Sequence, residues 1–180
     1  MKLIIIERTQ NNMSEILLSM EIEEFGTLKV ELYPNIAPNT VSNFMNYVNK
    51  NFYDGLIFHR IIKGFMIQGG ANPKVREMPI KGEFTSNGFK NDLKHSRGVL
   101  SMARTMDKNS ATSQFFIMHQ DSPHLDGQYA SFGKVIEGIE IVDKIASVRT
   151  DGYDQPLKDV KIKHITVLKY DANLEPVKYV

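Results

Sequence analysis

Residues 16–33 alternate in polarity with a period of two, twice, on either side of one glycine. Ile16, Leu18, Met20 and Ile22 share a face against Ser19, Glu21 and Glu23. Leu28, Val30 and Leu32 do the same against Thr27, Lys29 and Glu31, and Gly26 lies between the two runs. Successive side chains on an extended strand point to opposite faces, whereas a helical stripe needs spacings of three and four. The pattern therefore predicts an antiparallel hairpin with one buried face.

The period changes after Pro38. Val41, Phe44, Met45 and Val48 fall at i, i+3, i+4 and i+7, which predicts a helix over 39–50 with Asn39 or Thr40 as its cap. Residues 56–71 return to strand composition, broken at Gly64, and 98–104, 113–120 and 130–136 are further short strands. Ile141, Val142, Ile145 and Val148 predict a second short helix. In the last strand, 159–170, Val160 and Ile162 share one face while Ile165 and Val167 share the other. Such a change of parity predicts a β-bulge near Lys163 or His164. Residues 72–97 have little periodicity and carry Pro79, Gly82 and Gly88, so they read as a long loop of the functional kind. The fold class is mainly β. About eight strands and two helices predict a closed eight-stranded antiparallel β-barrel capped by two α-helices, since closure removes exposed sheet edges. By pattern alone a sandwich reads similarly.

Length and charge narrow the function. A chain of 180 residues suits one domain and can bury roughly 70% of its unfolded surface without a metal or disulfide. We expect that domain at 14–170, an N-terminal extension at 1–13 and a C-terminal tail at 171–180, with Met13 as an alternative start. The 22 basic and 21 acidic residues leave a net charge of +1, which argues against a nucleic-acid partner. There is no cysteine, so thiol catalysis and cysteine-ligated zinc are excluded. That absence is compatible with a reducing compartment, and the expected location is cytoplasmic. The opening MKLIIIERTQ holds only four consecutive apolar residues, short of a secretory core of ~7–15 residues, and no run approaches a membrane span. The sequon Asn12-Met13-Ser14 is then a chance match. With no heptad pattern, a monomer is expected.

Familiar catalytic constellations are missing. The chain has no GxGxxG, no GxxxxGK[ST], no GxSxG and no HExxH. His119 and His124, five apart, read as surface or packing residues, and no metal or other cofactor is expected. The unusual segment is FHRIIKGFMIQGG, 58–70. Taken alone, its Arg60 is a solvent-facing arginine, Phe65 and Met66 are core, Gln68 is a surface residue, and Gly69-Gly70 is a turn or bulge.

Three later segments change that reading: GVLSMAR (98–104), SQFFIM (113–118) and LDGQYASFGK (125–134). Together with 58–70 and the helix segment containing Pro38 and Phe44, they occur in the order and spacing of the cyclophilin family, which the chain resembles over about 15–170. The resemblance implies a capped eight-stranded barrel and peptidyl-prolyl cis-trans isomerase activity on X-Pro bonds of peptides and protein clients. It implies that Arg60 is the catalytic arginine with Gln68 beside it. Phe65, Met66, Phe116 and Leu125 match the proline-binding residues, Gln114 a polar neighbour, and Ala103 and Arg104 the stretch whose backbone holds substrate. His124 stands where animal cytosolic members carry tryptophan, Tyr129 where they carry histidine, and Arg104 where they carry asparagine. Arg104-Thr105 with SATSQFF resembles bacterial members. The missing tryptophan implies weakened cyclosporin binding.

The residue types suit that chemistry. Twisting an amide destroys its resonance, and the lone pair returns to the proline nitrogen, which becomes an acceptor. A fixed, permanently charged donor such as arginine can then bind the twisted form selectively.

Overall fold

The alternating runs form the predicted hairpin in a computed structural model that describes residues 14–180. Strand β1 (Glu15–Ile22) pairs antiparallel with β2 (Gly26–Leu32), Leu18 opposite Val30. Its seven predicted inward residues are all at most 1% exposed. The expectations for residues 1–13, including the extension, the sequon and the alternative start, lie outside the described residues.

Helix α1 (Pro38–Asn49) buries Val41, Phe44, Met45 and Val48, the predicted stripe. Its cap differs from the expectation. The helix begins at Pro38 after Ala37, with no side chain of its own as cap. Instead the Thr40 backbone N–H and hydroxyl both donate to Glu83 Oε1, at 2.6 and 2.7 Å. A carboxylate from the 72–97 loop thus satisfies helix-start donors, where negative charge also meets the positive end of the helix dipole. Asn39 is occupied elsewhere, with Lys178 of the C-terminal tail. That tail crosses α1, where Ser42 donates to the Glu175 carbonyl and Leu174 and Val177 pack on the core.

The remaining strands are short: β3 (Arg60–Ile62), β4 (Met66–Gly69), β5 (Val99–Met102), β6 (Phe115–Met118), β7 (Ser131–Glu137) and β8 (Ile162–Asp171). Helix α2 (Ile139–Ala146) lies between the last two and buries Ile141, Val142 and Ile145. The sheet order is β3-β4-β6-β5-β7-β2-β1-β8. Register slips between Glu21 and Ile22 opposite His164 and Ile162, which is the bulge predicted at Lys163. A second slip, opposite Val167–Lys169, has no counterpart in the sequence reading.

The barrel is not closed strand to strand. The three residues of β3 pair with β4, so β8 meets the segment before it. One bridge, Ile57↔Lys161, spans the seam, helped by Phe58 N–H to the Val160 carbonyl and Ile162 N–H to the Leu56 carbonyl. Gly69 makes the close approach possible, because a Cβ there would sit 2.8 Å from the Ile57 carbonyl oxygen.

Strands β4, β5 and β6 are buried on both faces. Ile67, Leu100, Phe115 and Ile117 belong to the barrel core, while Met66, Val99, Phe116 and Met118 form a second, outer cluster with Leu125. This double burial explains why FFIM is an unbroken apolar run rather than an alternating one.

Replacing Glu83 with Ala should destabilise the fold by about 2 kcal/mol, since a buried charge-assisted cap is lost. Urea unfolding reads this as a lower midpoint, and an unchanged midpoint would show that α1 needs no acceptor from the loop.

Candidate functional site

Four side chains lie in one transverse row on the outer face of the sheet. Register pairs Arg60 with Gln68, Gln68 with Phe116, and Phe116 with Ser101, across β3, β4, β6 and β5. Directly paired residues project to the same face. The row runs inward, from exposed Arg60 through half-buried Gln68 to Phe116 at 5% exposure and Ser101 at 0%. A polar edge thus grades into an apolar floor.

Over this row lies a hollow of about 140 Å³ lined by Arg60, Phe65, Met66, Gln68, Ala103, Arg104, Phe116, Leu125 and Tyr129. Two further residues singled out from the sequence stand beside it. Gln114 accepts a hydrogen bond from Gln68 Nε2 at 3.1 Å, and the His124 ring lies 5.7 Å from that of Phe65. The lining contains two guanidinium groups and no carboxylate. Among the described residues Arg60 forms no salt bridge, so its charge is uncommitted. No hydrogen bond joins Arg60 to Gln68, whose amide nitrogen donates to Gln114. Burial, then the neighbouring Arg60 charge, holds His59 below its ordinary pKa, so it remains a neutral neighbour at neutral pH.

Arg104 is clamped. Its Nε and one terminal nitrogen donate to the Gln128 carbonyl at 3.2 and 2.8 Å, and the other terminal nitrogen donates to the Thr105 carbonyl. The guanidinium lies 4.6 Å from the centre of the Tyr129 ring and 5.0 Å from that of Phe84. Such cation–π contacts contribute about 0.5–2 kcal/mol each. They fix Tyr129 as a wall of the hollow.

Beneath the floor lies a polar chain that sequence reasoning missed. His95 Nδ1 meets Asp126 Oδ1 at 3.0 Å and Nε2 meets Ser101 Oγ at 2.8 Å. The ring stacks on Phe116 at 6.0 Å with an interplanar angle of 21°. Ser101 and His95 are both buried, so the chain orients Phe116 from below rather than touching anything bound above. Burial pushes the His95 pKa down, opposed by its hydrogen bond and attraction to Asp126, while the His124 charge adds to the lowering. Nothing periodic marks His95, and Asp126, although inside the segment 125–134, gives no sign in sequence of its pairing with His95.

Similarity to known proteins extends over most of the chain. The family described as "Cyclophilin type peptidyl-prolyl cis-trans isomerase/CLD" matches residues 17–167. A peptidyl-prolyl cis-trans isomerase of Acinetobacter baylyi is 47% identical over 163 residues, covering 80% of this chain and 84% of the relative. The Escherichia coli peptidyl-prolyl cis-trans isomerase B is 41% identical over 155 residues, covering 79% and 94%. The crystal structure of a Cryptosporidium parvum cyclophilin type peptidyl-prolyl cis-trans isomerase superimposes with a TM-score of 0.77 at 30% identity, over 86% of this chain and 98% of that one. A structure of the same protein in the presence of the dipeptide Ala-Pro gives 0.74 at 31% identity, over 85% and 99%.

The depressed pKa of His95 has a sign. The folded state binds fewer protons than the unfolded one, so this contribution is present above the unfolded value of about 6.5 and lost as pH falls through the folded value. Melting temperature should therefore decline as pH falls below about 6.5, and His95→Asn should melt lower at pH 7 but decline less steeply. Parallel declines for the two proteins would remove His95 from the account.

Proposed function

The chain belongs to the cyclophilin-type peptidyl-prolyl cis-trans isomerases and is an isomerase of X-Pro peptide bonds, and we propose that it acts without a covalent intermediate, through Arg60. In this reading the hollow holds the proline ring against Phe65, Met66, Phe116 and Leu125. The preceding carbonyl swings while the Arg60 guanidinium donates to the pyramidalising proline nitrogen. That nitrogen accepts well only in the twisted state, so the contact lowers the barrier rather than merely tightening binding. The observation that carries the reading is the row in which an uncommitted guanidinium stands beside an apolar floor with no carboxylate in the lining.

Magnitudes divide the work. The uncatalysed rotation barrier is about 18–20 kcal/mol. A gain of ~10⁵ in rate requires ~7 kcal/mol. One charge-assisted hydrogen bond contributes ~1.5–3 kcal/mol net. The rest falls to the hollow, which orients the ring and excludes water that favours the planar, more polar amide. The Ala103 N–H is already given to the Gln114 carbonyl at 3.0 Å. Anchoring of the substrate backbone therefore falls to the other peptide groups of Ala103 and Arg104. The substrates are proline-containing peptides and protein clients, as fits a relative solved in the presence of Ala-Pro. A cytoplasmic monomer without cofactors is the form proposed, supported by the lack of cysteine and the near-neutral charge.

Arg60→Ala should lower kcat/KM on an Ala-Pro-Phe peptide about 10- to 100-fold, the equivalent of one charge-assisted bond, with an unchanged melting temperature. A folded variant with full activity would refute the role given to Arg60. In the same assay cyclosporin should inhibit weakly, because the exposed His124 imidazole offers less stacking area than an indole. His124→Trp should strengthen inhibition, and an equal response from both proteins would dispose of that explanation.

A further inference from the structure

Phe65 walls the hollow yet is only half-buried, so packing alone does not fix it. It stands at the end of the tight turn between β3 and β4, whose Lys63 and Gly64 are exposed. Two backbone groups of this turn, the Gly64 N–H and the Phe65 carbonyl, are nonetheless fastened by one residue. The His119 ring accepts the Gly64 N–H at Nδ1, at 2.9 Å, and the His119 backbone N–H donates to the Phe65 carbonyl at 2.9 Å.

The hydrogen-bond partners define the state of that ring. Because Gly64 can only donate through its N–H, Nδ1 carries no proton, and Nε2–H donates to Asp143 Oδ1 at 3.0 Å. Asp143 is held in turn by a two-pronged contact from Arg97, at 2.6 and 2.7 Å, and Arg97 also donates to the His119 carbonyl at 3.0 Å. The Arg97 hydrogen bonds hold the Asp143 carboxyl below its usual pKa, so it stays an acceptor. His119 is 7% exposed and is not among the residues that line the hollow. The chain of contacts runs from α2, through Asp143 and a neutral His119, to the turn that carries Phe65.

We propose that His119 is a positioning residue for the isomerase, setting Phe65 through the Gly64 and Phe65 peptide groups, with Asp143 and Arg97 as its anchor. This rests on the reading of Phe65 as part of the proline pocket. Asparagine at 119 can keep an acceptor in the place of Nδ1, whereas glutamine can keep a donor in the place of Nε2, so the two substitutions separate the two halves of the contact.

The test is a double-mutant cycle on the full chain, with kcat, KM and melting temperature measured for each variant. His119→Ala should lower kcat/KM about fivefold in the wild-type background and less than twofold in a Phe65→Ala background, as contact-coupled positions do. His119→Asn should recover most of the loss and His119→Gln should not. In the wild-type protein, the ¹⁵N shift of Nδ1 in residue 119 should be that of an unprotonated ring nitrogen. Equal losses on both backgrounds, or no loss on the first, would overturn the proposal. If Phe65→Ala alone leaves kcat/KM intact, the proline-pocket reading itself falls, and the positioning role with it.

Discussion

The site depends on strand register. Arg60, Gln68, Phe116 and Ser101 come from four strands, none longer than four residues, and share a face only because each is paired directly with the next. Side chains on a strand alternate, so a one-residue slip would exchange Phe116 for Phe115 or Ile117 and turn the row inside out. The register is pinned because both faces of these strands are buried. Ile67, Phe115 and Ile117 fill the barrel on one side, and Met66, Phe116 and Met118 pack the outer cluster on the other. A slip would put residues of the wrong shape on both sides at once, and large changes of core shape cost several kcal/mol.

Around the row, polar groups fix apolar ones. His95 is tied at both ring nitrogens and supports Phe116 from below. Arg104, held by two carbonyls, faces Tyr129. Gln114 restrains Gln68. In a low-dielectric setting such networks are stiff when satisfied and costly when broken. Of the two guanidinium groups that line the hollow, that of Arg104 is held by carbonyls while that of Arg60 has no hydrogen-bond or ion-pair partner among the described residues, which is what a group meant to meet a transient acceptor requires.

Much of the fold was legible in local pattern. The hairpin, the stripe of α1 and the bulge at Lys163 follow from periodicity, because each reports which way neighbouring side chains face. Contacts between distant segments were not legible. Glu83 reaches Thr40 across 43 positions, and Arg97 reaches Asp143 across 46. A buried carboxylate acting as a helix cap looks in sequence like any loop acid. The seam also escaped: residues 56–58 share the strand composition read over 56–71, but composition does not show that they meet residues 160–162 through a single bridge. For the site, Arg60 and Phe65 were found by resemblance, while His95 and His119 lie outside the segments that carry it, and Asp126 lies inside one without any sign of its contact with His95.

The pairing of β1 with β8 joins Glu15 to Asp171, and Asn39 reaches Lys178, so the first strand and first helix are completed by the last part of the chain. During synthesis the hairpin therefore emerges with one edge of β1 bare and α1 half-covered, and both wait for residues 162–178 to clear the ribosome. Contacts of such long sequence separation make assembly slow and expose an open strand edge to other nascent chains. An enzyme that hastens the folding of other proteins thus has to pass through a vulnerable interval of its own.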